Sequence, residues 1–89
     1  MTFEWDENKR LRVLAERGID FLRATQLFDG RDVLTVSSPR GDEERWATTG
    51  VLEDRTTTVI WTQRGENIRI ISARRARDNE KRAYREIYG

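Results

Sequence analysis

The chain has no cysteine and no histidine. The first absence excludes a disulfide framework and a thiolate-held metal. The second removes the commonest nitrogen ligand and the side chain that usually exchanges protons near neutral pH. A Ser–His dyad is therefore impossible. No apolar run approaches a membrane span, and no signal-peptide pattern opens the chain, so a soluble cytoplasmic protein without a membrane partner is expected. No glycine-rich strand-to-helix turn carries a lysine, which argues against a nucleotide-binding loop. Asp42, Glu43 and Glu44 are adjacent, but adjacent loop carboxylates are more often solvated than coordinating, and a hard cation needs many oxygens. No metal and no cofactor are expected.

What is present is charge. Of 89 residues, 37% are charged and 36% apolar, with a formal net charge of +1. One domain over residues 1–89 is expected, with a small core built around three Trp, three Phe and two Tyr. The charge is uneven. Residues 1–63 carry 9 basic and 12 acidic side chains, net −3, whereas residues 64–89 carry 8 and 4, net +4. Such asymmetry points to a polyanion at one end, or to a solvated helix face.

Read in order, residues 2–5 suggest a strand. Asp6 caps a helix over 7–17, with Leu11, Leu14 and Ala15 as its apolar stripe and Val13 at the margin; Gly18 ends it. Asp20 caps a second helix over 21–28, where Phe21, Ala24, Leu27 and Phe28 share a face. Strands follow over 33–37, 45–52 and 56–64, with Pro39 in the first loop and Gly50 marking a bulge or close approach. Turn residues 65–67 lead into a strand from Ile68. Ser72 is read as the N-cap of a final helix over 73–88, which has only a thin stripe of Ala73, Ala76, Ala83, Tyr84 and Ile87. Short connections predict an antiparallel meander. The fold class is α+β: a small antiparallel sheet, a helical hairpin on one face, a C-terminal helix, and a second, more polar face left available.

The arginines of the last third repel one another and are easiest to explain with a phosphate as the missing partner. Metal-free RNA cleavage fits this inventory. RNA supplies its own 2′-OH nucleophile, and the protein need only hold the phosphate, offset the developing charge and move protons. Arg45, Arg64, Arg69 and Arg74 lie on strands or at strand ends where a sheet face can gather them. Singly, each is more readily a surface or ion-pair residue. Glu44 is the candidate proton acceptor and Tyr84 a donor or orienting group. Lys9, Arg17, Arg75 and Arg77 are candidate RNA-binding cations. Trp46 and Trp61 suit base stacking or strand core, and core is the simpler reading.

Residues Phe3-Glu4-Trp5-Asp6, Arg17-Gly18, Leu27-Phe28-Asp29, Glu43-Glu44-Arg45-Trp46, Arg64-Gly65, Arg69-Ile70-Ile71-Ser72-Ala73-Arg74 and Glu80 to Tyr84 together resemble the BrnT toxins. The Arg-Ile-Ile-Ser-Ala-Arg block is the most specific piece. The resemblance implies a RelE-like ribonuclease fold and RNA cleavage that arrests translation. It also implies inhibition by a ribbon-helix-helix antitoxin, BrnA, and operator DNA contacted through the toxin–antitoxin complex. The family commonly has Lys-His-Gly where this chain has Glu16-Arg17-Gly18; an arginine there keeps a phosphate-binding or helix-end cation but not an imidazole. The other readings of the same basic end are a non-catalytic binding module and an inactive toxin fold kept as a corepressor.

Overall fold

The computed structural model describes residues 2–89. Two capping signals set its N-terminal third. The Asp6 carboxylate accepts the Lys9 N–H at 3.2 Å, and Gly18 turns left-handed at φ 71°, bounding α1, Glu7–Arg17. A capping carboxylate satisfies a free N–H, and glycine enters that turn without a Cβ penalty. Asp20 accepts the Leu22 N–H at 3.0 Å and opens α2, Phe21–Ala24, which tightens into a 3-10 turn over Thr25–Phe28. Arg10 ties the two helices by pairing with Glu7 and, at 3.2 Å, with Asp20. That contact and the Trp5 N–H hold the Glu7 carboxyl down at about 2.

Five strands form one sheet in the order β1-β5-β4-β3-β2. Their ranges are Thr2–Glu4, Val33–Ser37, Trp46–Leu52, Arg55–Arg64 and Asn67–Arg75 for β1 to β5. β2 to β5 make the expected antiparallel meander, but β1 runs parallel to β5, pairing Phe3 with Ile68. The sheet is therefore mixed rather than all antiparallel. A three-residue strand whose partner lies more than sixty positions away leaves no local signal of direction.

The end of β5 also differs from expectation. β4 is ten residues long and offers partners as far as Thr58↔Arg74 and Thr57↔Arg75. Ala73 pairs with Val59 and both are fully buried. Sheet pairing and burial outweigh the helix propensity of Ala73, so Ser72 caps nothing and instead accepts a hydrogen bond from Arg17 at 3.1 Å. The last helix, α3, is Asp78–Tyr88, opened by Glu80, whose carboxylate accepts the Arg77 N–H at 2.8 Å.

The register slips by one residue at Ile71, because Ile60 pairs with Ser72 and Trp61 with Ile70. Side chains alternate along a strand, so an extra residue resets the phase. Ile70 and Ala73 consequently share the face toward α2, and Arg69 and Arg74 share the opposite face.

The core sits under the hairpin. Phe21, Leu27, Val59, Ile70 and Ala73 are at most 1% exposed. Phe28 packs edge-on to Trp61 with ring centroids 5.4 Å apart, and Trp46 stacks on Trp61 at 5.0 Å. Both strand tryptophans serve packing. Val13 is the buried residue of α1, while Leu11 and Leu14 face outward at 50% and 37% exposure. α1 lies against β5, where Arg17 reaches the Ala73 carbonyl at 3.0 Å, and that placement turns Val13 inward.

Gly50 is a close approach. A Cβ there would meet Val33 at 2.9 Å and Leu27 at 3.0 Å. Gly50→Ala is expected to lower stability by about 1–2 kcal/mol, since the buried Leu27 side of that contact has little room to relax. Urea denaturation checks it.

The opposite face is only partly free. α3 crosses it near β2 and β3, with no residue fully buried. Its Tyr88 hydroxyl donates to the Val33 carbonyl at 2.6 Å and its Tyr84 hydroxyl to the Asp32 carbonyl at 3.4 Å.

Candidate functional site

Where β1 stops, a groove of about 220 Å³ opens between the start of α1 and the ends of β4 and β5. Its walls carry Lys9, Arg45, Arg64 and Arg69, with Asp6 and Glu43, over a floor of Thr62, Ile70 and Ile71. Each side chain arrives for a local reason. Thr62↔Arg69 and Glu4↔Arg69 are ladder partners, so Arg69 stands beside Thr62 on the face opposite the hairpin. The Thr62 hydroxyl donates to the Glu44 carbonyl at 2.6 Å and so fixes the loop that delivers Arg45. Arg64 ends β4. Lys9 lies in the first turn of α1, beside the carboxylate that caps it.

The four cations are not equivalent. Arg69 pairs with Glu4 at 2.8 Å, and Arg45 with Glu43. Hydrogen bonds from Arg69 and Asn67 hold the Glu4 carboxyl below its usual range, and that from Arg45 does the same for Glu43. Among the described residues, Lys9 and Arg64 have no carboxylate within ion-pair distance. Burial pushes the Lys9 pKa down, and the charges of Arg45, Arg12, Arg17 and Arg40 push it the same way. Arg12 and Arg40 thus belong to the same electropositive region. The i,i+3 spacing of Lys9 and Arg12 on one helix was the signal for the former; nothing local marked Arg40.

The remaining sequence candidates go elsewhere. Arg74 shares the sheet face of Arg69 but is held by Glu80 on α3 at 2.6 and 3.0 Å. Glu80 also accepts from Thr58 at 3.2 Å, and Thr58 is 2.7 Å from the Thr49 hydroxyl. Burial opposes the Glu80 charge, but the Arg74 and Arg77 hydrogen bonds outweigh it and keep its pKa below the usual value. This is a helix latch. Tyr84 sits at the β2 edge, Arg77 at the start of α3, and Arg75 beside Thr57 at 3.0 Å. The Glu44 side chain is exposed and only its carbonyl reaches the groove's framework. Arg17 is committed to Ser72 and Ala73. Of the ten candidate residues, the fold brings Lys9, Arg45, Arg64 and Arg69 together. Among the described residues, no group of three or more acidic side chains is arranged to hold a metal ion.

A mixed sheet flanked by helices, with an electropositive groove at one end, defines a small α+β protein. Residues 5–80 match the family model described as "Ribonuclease toxin, BrnT, of type II toxin-antitoxin system". The chain belongs to that family of ribonuclease toxins. No curated protein matches it. No helix is long and apolar enough to cross a membrane among the described residues.

Proposed function

We propose that the protein is a RelE-like endoribonuclease that cleaves RNA without a metal ion, arrests translation, and is neutralised by a BrnA-like ribbon-helix-helix antitoxin. The observation that carries this reading is the groove in which Lys9 and Arg64 stand, among the described residues, without carboxylate partners beside Arg45 and Arg69. Guanidiniums present forked donors that suit phosphate oxygens and the charge that develops on them. Arg45, Arg64 and Arg69 hold the scissile phosphate, and Arg45 and Arg69 exchange their carboxylate contacts for it. The RNA 2′-oxygen then bonds to that phosphorus as its bond to the 5′-oxygen breaks, leaving a 2′,3′-cyclic phosphate on one fragment and a 5′-hydroxyl, once protonated, on the other.

The proton must go to a group in the groove. Asp6 is engaged as a helix cap and Glu43 pairs with Arg45. Glu44, the sequence candidate, points to solvent. Lys9 is the wall residue whose pKa burial and neighbouring cations push down, and a lowered pKa brings a lysine toward useful proton exchange. The groove cations thus divide the work: arginines bind charge, and Lys9 moves the proton. The antitoxin contacts operator DNA on behalf of the complex, and covering the groove blocks RNA.

The non-catalytic corepressor reading draws on one observation, the internal pairing of Arg45 and Arg69. Two assays separate the readings. Induced expression is expected to stop growth, and purified protein in EDTA is expected to cut RNA and leave 2′,3′-cyclic phosphate ends. Normal growth together with intact RNA favours the corepressor. Cleavage that requires added magnesium overturns the metal-free mechanism.

A further inference from the structure

Among the described residues six arginines, Arg10, Arg23, Arg31, Arg45, Arg69 and Arg74, have a carboxylate within ion-pair distance. The cations at the far end of the sheet do not. Arg55 from the start of β4, Arg75 from the end of β5, and Lys81 and Arg85 from α3 converge on a second cleft of about 240 Å³. Among the described residues none of the four has an ion-pair partner. Asp54 is the single carboxylate on the walls, in a turn at φ 65°, and it too makes no ion pair.

Arg75 is fixed rather than floating. Its guanidinium donates to the Thr57 hydroxyl at 3.0 Å, and Thr57 is fully buried and donates in turn to the Arg55 carbonyl at 3.0 Å. Burial and the Arg55 charge both push the Arg75 pKa down, against a smaller opposing effect of Glu53. Arg85 lies in the last turn of α3, where a cation suits the helix dipole. That explains one charge, not four. Four like charges gathered around one carboxylate leave an excess that an absent anion would offset, and forked guanidinium donors match phosphate oxygens best.

The two clefts are joined by β5, with Arg69 on one and Arg75 on the other. They are six positions apart along the strand, or about 20 Å at roughly 3.3 Å per residue. That spans about six stacked nucleotides at roughly 3.4 Å of rise per phosphate. We infer that Arg55, Arg75, Lys81 and Arg85 form a second phosphate site, which holds the RNA backbone some nucleotides from the scissile bond. The inference rests on the ribonuclease reading of the first groove.

The test compares the wild-type chain with Arg55→Ala/Arg85→Ala, both exposed positions outside the groove. Two RNAs are used, one of about thirty nucleotides and one of about four, shorter than the roughly six that span the clefts. For the long RNA, KM is expected to rise about tenfold and its salt dependence to flatten by about 1.4 in log–log slope, the loss of two phosphate contacts. Its kcat, and all kinetics on the short RNA, stay unchanged. Equal KM and equal slope for both proteins overturn the second site. If wild type cuts neither RNA, the ribonuclease reading fails by itself. Anisotropy of the labelled long RNA then still decides the second site, because unchanged binding by the double variant overturns it. A variant that loses affinity for duplex DNA but not for RNA shows that the cleft faces DNA, and the RNA assignment is wrong.

Discussion

Lys9→Arg lowers the rate of RNA cleavage by about 100-fold while leaving the melting temperature and RNA affinity close to wild type. The substitution keeps a cation in the groove, so phosphate binding survives. It removes the wall residue assigned to take the 2′-OH proton, because a guanidinium stays protonated below pH ~12 and cannot accept one. Loss of general base catalysis is worth about 10²–10⁴ in rate. Burial and four neighbouring arginines push the Lys9 pKa below 10.5, so its neutral form grows as pH rises toward that value. Wild-type activity therefore climbs with pH through this range, and the Lys9→Arg profile lacks that climb. Single-turnover cleavage measured across pH reads both effects. A full rate for Lys9→Arg, with the wild-type pH profile, shows that Lys9 supplies charge only.

Glu80→Ala is expected to destabilise the fold by about 2–3 kcal/mol. This lies just below the roughly 3–5 kcal/mol of a fully buried pair because side-chain exposures of 21% for Arg74 and 18% for Glu80 leave some solvent screening. The variant strands the Arg74 guanidinium on the sheet, removes the acceptor of the Thr49–Thr58 hydroxyl chain, and frees the Arg77 N–H at the start of α3. For a domain of this size the melting temperature falls by about 10–20 °C. Arg74→Ala loses stability too, but keeps its cleavage rate at temperatures where it is folded, since the guanidinium is engaged by Glu80 and lies outside the groove. The pH dependence has a definite sign. Glu80 is held below its unfolded value near 4.5, so its contribution is present above that pH and fades as pH falls through the lowered folded value. Wild type and Glu80→Ala therefore converge in acid. Urea melts at neutral and acid pH check this; an equal gap at both removes the latch.

Much of the framework was written locally. Asp6 with Gly18 bounded α1, and the strand read over 33–37 is β2 with its ends correct. Three features depended on distant partners and left no local trace. The direction of β1 is set by β5. The strand continues through Ser72 and Ala73 because β4 is long enough to pair with them. Val13, not Leu11 or Leu14, faces inward because α1 lies against β5. The site divided along the same line. Arg69 and Arg45 could be placed near each other by strand order. The bulge at Ile71 and the reach of Glu80 decide that Arg74 shares their face but not their groove. Lys9 was legible as a cation; its place beside unpaired Arg64 emerges only in three dimensions.

The most direct measurement is an amide chemical-shift titration with a 2′-deoxy dinucleotide, which has a phosphate and bases but no nucleophile. The largest changes are expected at Lys9, Arg45, Thr62, Arg64 and Arg69 to Ile71, with α2 and β2 silent. Saturable shifts confined to any other surface, with those residues unmoved, would contradict a phosphate-binding groove at the end of β4 and the start of β5.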